Sequence, residues 1–401
     1  MKKLVSTISG ITYPFERLQE FADNGESLEV QIADIAKARI KEDNSMLVRY
    51  SDFLPFSNSD HSLSMGEGNT PLIEASNNLK AFTGISGLYL KNETMNPTWS
   101  FKDRGSLTCI LMAKAMNEPV TATISTGNMG NSMAAYGAHA GLKTIVFVPE
   151  HATKEKISAI SLHGAMVVKV KGADYSEVKY RILDMAEDLN LRIVSGNGPV
   201  RVEGYKLSAF ELFEQFERDV PEYIAVPTSA CGHIRGIFKG FCELKEAGYI
   251  EKLPKMIIVQ AENNAPIVKA IEENKSDVIP FENIETLAGA ITTGNPKGGK
   301  EIIQKAGKFN WLAASVSEKE IIESQRLLAR SGFFVEPASA TSLAAVKKLK
   351  DKGKIEADEK TVLMLTGSGL KDSKILAYHQ LQTYEYDIAD IKSEISKWIR
   401  Y

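Results

Sequence analysis

The chain predicts an α/β protein of parallel sheets flanked by helices, and three observations carry that expectation. From about Lys102 onward, short β-rich runs alternate with stretches of helical spacing. Strand–helix alternation implies parallel sheets with helices on both faces, and ligands at the carboxyl ends of the strands, which is where turns rich in Gly, Asn and Ser fall here. A length of 401 residues, 43% hydrophobic and 25% charged, is enough for two or three domains with a large core.

The expected strands are Thr121–Ser125, Thr144–Val148, Val167–Val170, Ile193–Ser195, Tyr223–Val226, Met256–Gln260 and Val362–Leu365. Between them Ser132–Ala140, Tyr180–Leu189 and Glu318–Ala329 have helical spacing. Near the C-terminus Ile388, Ile391, Ile395 and Trp398 fall on one stripe of an amphipathic helix, expected to serve as core packing or a subunit contact. A formal net charge of −3 and a pI near 6.2 build no field for nucleic acid or a membrane surface. No apolar run reaches the ~18 residues of a membrane span. Cys109, Cys231 and Cys242 have neither paired nor metal-ligand spacing, and the six histidines form no metal motif. A cytoplasmic protein without metal is expected.

The chemistry begins at Asn96-Pro97-Thr98-Trp99-Ser100-Phe101-Lys102-Asp103-Arg104-Gly105. An Asn-Pro turn before a helical apolar run places Lys102 at a rigid loop-to-helix junction. A second junction, Ser125-Thr126-Gly127-Asn128, follows the run Thr121–Ser125. An amine fixed at one helix start and hydrogen-bonding groups at another suit a phosphorylated aldehyde such as pyridoxal phosphate, which lysine binds as a Schiff base. Thr228-Ser229-Ala230-Cys231-Gly232-His233-Ile234-Arg235-Gly236 likewise follows a strand and opens a helix, a geometry whose backbone amides cradle phosphate.

Four further segments complete an ordered set: Gly66-Glu67-Gly68-Asn69-Thr70-Pro71-Leu72, Arg201-Val202-Glu203-Gly204-Tyr205-Lys206, Glu336-Pro337-Ala338-Ser339-Ala340 and Leu365-Thr366-Gly367-Ser368-Gly369-Leu370-Lys371-Asp372. In this order and spacing, from about Leu47 to Asp372, the chain resembles the threonine synthases, of the pyridoxal-phosphate fold type II group. The resemblance implies a two-domain fold with the cofactor in the interdomain cleft. Residues 61–105 and 199–378 would form the large domain, 106–198 the small one, 1–60 an N-terminal segment packed on the large domain, and 379–401 a C-terminal helix. It implies a lyase of threonine biosynthesis, converting O-phospho-L-homoserine and water to L-threonine and phosphate, as a homodimer.

Residue by residue, the resemblance makes Lys102 the Schiff-base lysine and proton shuttle. Asn128 would bond the cofactor's 3-hydroxyl, Thr366 its pyridine nitrogen, and Ser229, Ala230, Cys231, Gly232 and His233 its phosphate. Arg201 would clamp the substrate phosphate, with Ser125, Thr126, Met129 and His233 also on the substrate. The chain departs from the family pattern at Trp99 (glycine in the family), Met129 (threonine), Gly198 (part of an Asn-Pro pair) and His233 (asparagine). Such changes on the substrate side leave two alternatives. One is β-replacement on O-phosphoserine with sulfite or another nucleophile, as in cysteate synthase; the other is a silent paralogue that binds the cofactor without turnover.

Overall fold

The computed structural model describes residues 2–17, 19–56, 61–125, 127–150, 152, 154–171, 181–183, 185–186, 188–189, 191–282 and 284–399. The chain opens with an antiparallel sheet of β1 (Lys2–Ser6), β2 (Thr12–Pro14) and β3 (Leu28–Ile32), in the order β2-β1-β3. β4 (Leu72–Glu74) and β5 (Leu88–Asn92) begin a second sheet. The chain then leaves it to build a third from β6 (Val120–Ile124), β7 (Lys143–Pro149), β8 (Met166–Val170) and β9 (Ile193–Val194), all parallel, in the order β8-β7-β6-β9. It returns with β10 (Tyr223–Pro227), β11 (Lys255–Ala261), β12 (Leu312–Val316) and β13 (Thr361–Leu365). The six-stranded order is β12-β11-β10-β13-β5-β4, parallel except for β4 at the edge.

β10 and β13 are buried at every position, the signature of parallel strands covered on both faces. One core, around Leu107, Phe210, Ile237 and Ile258, fills one side of the large sheet; another, around Leu90, Ile257, Leu343 and Leu363, fills the opposite side. The helix Lys102–Ala115 is buried continuously from Asp103 to Ala113 and packs on the helix Pro199–Tyr205. Two glycines permit that approach. A side chain at Gly105 would meet Arg201 Cγ at 2.5 Å, and one at Gly204 would run into the Arg104 carbonyl.

Each of the seven expected runs lies at a strand, and Glu318–Ala329 lies in a helix, Glu318–Arg330, started by a Ser317/Glu320 capping box. The N-terminal sheet, β4, β5 and β12 were not among the expected runs. β4 has three residues, β5 ends in the polar pair Lys91–Asn92, and β12 is largely alanine and serine. Part of Tyr180–Leu189 lies outside the described residues. The C-terminal helix, Ile391–Ile399, begins after Ile388 and buries none of its residues. Within one chain its apolar stripe therefore packs no core: Ile388, Ile391, Ile395 and Trp398 are all exposed.

Candidate active site

The carboxyl end of β13 and the loop before Lys102 are laced together. Phe101 N–H donates to the Thr366 carbonyl at 3.0 Å, Ser368 N–H to the Trp99 carbonyl at 3.0 Å, and Ser100 pairs with Gly367. Asp103 accepts from Thr98 N–H at 2.6 Å, from Thr98 Oγ1 at 2.5 Å and from Ser132 Oγ at 2.5 Å. Ser132 belongs to the helix Asn128–His139 that follows β6, so this carboxyl ties the lysine loop to the four-stranded sheet. Lys102 is thereby fixed in place.

Its amine lies 4.2 Å from the Phe101 ring centroid and 5.8 Å from that of Tyr205. Burial, and then the positive charge of Arg201, lower its pKa to about 7 against the opposing pull of Glu336. An ordinary lysine is almost entirely ammonium at neutral pH; this one is a usable nucleophile and base there.

Near that amine stand Ser100 Oγ and both ring nitrogens of His233, buried polar atoms without hydrogen-bond partners, beside the interacting pair Arg201 and Tyr205. Native proteins leave few such atoms, and a group of them beside one amine marks a candidate ligand site. Arg201 is fully buried, donating from Nε to the Ser195 carbonyl at 3.0 Å and from Nη1 to Ser106 Oγ at 3.3 Å. The rest of its fork faces the Tyr205 hydroxyl, an interaction that favours the charged guanidinium. His233 stacks on Phe101 with centroids 3.8 Å apart and meets Tyr205 edge-on at 5.6 Å. Burial, then Lys102 and Arg104, hold its pKa well below the ordinary range, so the imidazole is neutral.

The loop Ser229–His233 turns through Cys231, whose φ of 75° is left-handed, and starts the helix Gly232–Glu246. Gly232 is obligatory, because a Cβ would strike the Gly196 carbonyl. The Ser229 hydroxyl meets Thr293 Oγ1 at 2.8 Å, while Ala230 is half-buried. Asn128 opens its own helix and donates from Nδ2 to both Glu336 carboxylate oxygens, at 3.0 and 2.8 Å. The Thr366 hydroxyl pairs with Ser339 Oγ at 2.8 Å.

The residues expected on the substrate side divide. Ser125 Oγ accepts from Gly127 N–H at 3.2 Å at the amino end of the Asn128 helix, while Thr126 lies outside the described residues. Met129 is half-buried beside the Gly196 backbone. Trp99 holds a left-handed φ of 64° and is 53% exposed, so the indole does not fill a buried pocket as its bulk alone suggests. At Gly198 the space for a side chain is taken by the Glu20 carboxylate, which accepts from Ser195 N–H at 2.8 Å. Burial raises the Glu20 pKa, against the pull of Ser195, Arg201 and Arg192.

Tyr205, Glu336, Ser100 and Glu20 are the residues that motif reading passed over. The first three sit within the quoted segments, so position beside a motif residue was the available signal. Glu20 carried none. Among the described residues no His, Cys, Asp and Glu group could hold a metal ion, and no helix is long and apolar enough to cross a membrane.

Two sheets joined around a buried, weakly basic lysine, with a glycine-bearing helix start and buried polar groups beside it, fit pyridoxal phosphate and define a cofactor-dependent enzyme of fold type II. Residues 63–367 match the pattern of the family described as pyridoxal-phosphate dependent enzyme. Serine racemase from Dictyostelium discoideum shares the fold at a TM-score of 0.62 and 23% identity, over 75% of this chain and 92% of that one. Threonine synthase from Methanocaldococcus jannaschii is 38% identical over 371 residues, 90% of this chain and 91% of the relative. Threonine synthase from Methanosarcina acetivorans is 36% identical over 336 residues, 83% and 82% of the two chains. The chain belongs to the threonine synthase family and is a pyridoxal-phosphate-dependent lyase.

Proposed function

We propose that the protein is a threonine synthase, converting O-phospho-L-homoserine and water to L-threonine and phosphate. The observation that carries this reading is Arg201, a fully buried guanidinium close enough to Lys102 to lower its basicity. A phosphorylated substrate supplies the anion such a buried cation needs.

Bound pyridoxal phosphate supplies an electron sink for charge developing on the substrate carbons. Lys102 would hold that cofactor, and its free amine, with a pKa of about 7, suits moving protons at Cα and Cβ in either direction. Arg201 neutralises the departing phosphate. Ser125 and the backbone amides that start the Asn128 helix orient the substrate carboxylate. Asn128, Thr366 and the loop from Ser229 to His233 would hold the ring and phosphate of the cofactor. A cytoplasmic homodimer completes the reading; three free thiols support the first part and the exposed stripe of the last helix the second.

One observation favours β-replacement on the shorter O-phosphoserine: the room beside Gly198 is taken by the Glu20 carboxylate. The test is to incubate the holoenzyme with phosphohomoserine, phosphoserine, or phosphoserine plus sulfite, and follow phosphate release and the amino acid formed. Threonine from phosphohomoserine is the expected product. Phosphate released only from phosphoserine would replace the reading with the second, and release from none of them would leave a silent paralogue.

A further inference from the structure

We propose that Glu20, from the N-terminal segment, is a positioning residue for Arg201 and aims its guanidinium through the backbone of Ser195. The inference rests on the reading of Arg201 as the group that takes the substrate's anion. Glu20 lies outside residues 63–367, which match the family pattern, so no motif gives it a role.

The connection has two steps. Strand β9 pairs with β6 only as far as Val194, so Ser195 stands past the end of the ladder. Its N–H finds the Glu20 carboxylate instead, at 2.8 Å. The carbonyl of the same residue accepts from Arg201 Nε at 3.0 Å. Nε is the guanidinium nitrogen nearest the aliphatic stem, so this bond sets the plane of the rigid fork beyond it. The second bond on the fork, from Nη1 to Ser106 Oγ, is longer at 3.3 Å.

Ser195 needs an outside hold because the turn it begins has little stiffness of its own. Gly196 and Gly198 flank Asn197, and glycine restrains the backbone least. Glu20 grips both ends of that turn, since its carboxylate also fills the side-chain space at Gly198. The grip is itself anchored. Phe21 bridges to Ser27, and Ser27 Oγ accepts from Asn197 Nδ2 at 3.0 Å. Arg235 closes the frame, donating from Nη1 to the Asn197 carbonyl and from Nη2 to the Leu28 carbonyl, both at 2.9 Å. The carboxyl of Glu20 and the guanidinium of Arg201 also sense each other's charge.

The experiment places Glu20→Ala, Glu20→Asp and Glu20→Gln in the wild-type holoenzyme and in holoenzyme carrying Arg201→Ala. Two quantities are read: the KM for the phosphorylated amino acid, and the rise in melting temperature on adding inorganic phosphate, which reports anion binding without turnover. Glu20→Ala removes the acceptor and Glu20→Asp draws it back by one carbon. Each should raise KM roughly tenfold and shrink the phosphate-induced rise, with the cofactor absorbance band retained. Glu20→Gln, which keeps the length and one acceptor oxygen, should restore most of both. In the Arg201→Ala background the same substitutions should leave KM unmoved, because the group they aim is gone.

A merely structural Glu20 would cause losses that add to those of Arg201→Ala, and that result would overturn the proposal. So would an unchanged KM in Glu20→Ala and Glu20→Asp, or a Glu20→Gln variant no better than Glu20→Ala. If Arg201→Ala alone leaves KM unchanged, the reading of Arg201 fails and Glu20 has nothing to position. If Arg201→Ala raises KM while the Glu20 variants do not, only the connection through Ser195 fails. The comparison of Glu20→Asp with Glu20→Gln decides the matter even where Glu20→Ala fails to fold.

Discussion

At the scale of single residues the site turns on two cations that share a buried space. Arg201 and Lys102 repel, and that repulsion is one cause of the low pKa of the amine. Replacing Arg201 by Ala should do two things. Substrate binding should weaken by about 2–5 kcal/mol, read as a higher KM for the phosphorylated amino acid with the cofactor absorbance band retained. The pKa of Lys102 should also rise, so the acid limb of the pH–rate profile moves to higher pH. Loss of the cofactor band instead would place Arg201 on the cofactor.

Lys102 also leaves a mark on stability. Its folded pKa, about 7, lies below the value of about 10.4 for an unfolded chain. Between those limits the unfolded state binds the extra proton, so stability rises with pH. The penalty is present in full below pH 7 and gone above the unfolded value. Apoprotein carrying Lys102→Met should thus be more stable than wild-type apoprotein at pH 7 in urea unfolding, with the difference shrinking as the pH approaches 10. A pH-independent difference would mean that the amine is not desolvated.

At the scale of elements, the helix Lys102–Ala115 is anchored by charge as much as by apolar contact. The Arg104 fork donates to both oxygens of Glu93, at 2.7 and 2.8 Å, and to both oxygens of Glu211, at 2.6 and 2.7 Å. Lys91 joins from β5 by donating to Glu211 at 2.7 Å. All four residues are buried. Arg104→Met should lower stability by about 3–5 kcal/mol in urea unfolding at neutral pH, because two carboxylates then face each other with only Lys91 between them. Acidification should narrow the gap, since Glu211 and Glu93, now held below the usual carboxylate range, contribute only while ionised. A loss under 1 kcal/mol would show that the cluster is better solvated than its burial implies.

That network also shows where sequence reading stops. Lys91 makes β5 look like a strand that ends early, and its distant partners Glu211, Gln215 and the Thr70 carbonyl make a buried lysine tolerable. The longer parallel strands were legible because burial on both faces demands runs of Val, Ile and Leu. The site was legible wherever chemistry follows chain order, as it does along the lysine loop and the two glycine-rich helix starts. It was illegible wherever a partner comes from another element. Glu336 received no role from its motif, although in three dimensions both of its oxygens accept from Asn128. Trp99 stood out only as a departure from the family's glycine, and its left-handed backbone leaves the indole 53% exposed.

At the scale of the whole molecule, the N-terminal segment and the turn from Ser195 to Gly198 are built together. Glu20 fills the side-chain space of Gly198 and bonds Ser195, while Ser27 accepts from Asn197 Nδ2 at 3.0 Å. Restoring asparagine at position 198 alone should therefore damage the protein, because the new side chain collides with the Glu20 carboxylate. Gly198→Asn should lower the melting temperature and turnover, and Glu20→Ala added to it should recover much of both. Additive losses in that double-mutant cycle would mean that the two positions do not compete for the same space.

That shared wall has a consequence in time. Ser195 and Glu20 stand 175 positions apart along the chain. During synthesis the segment bearing Glu20 emerges first, yet the backbone it must grip does not exist until half the protein has been made. Folding that proceeds from the leading end can assemble the β1–β3 sheet early, but cannot seat its carboxylate until the stretch after β9 arrives. The segment bearing Glu20 thus waits for the backbone it bonds, and that wall of the site stays open until the stretch after β9 has been made.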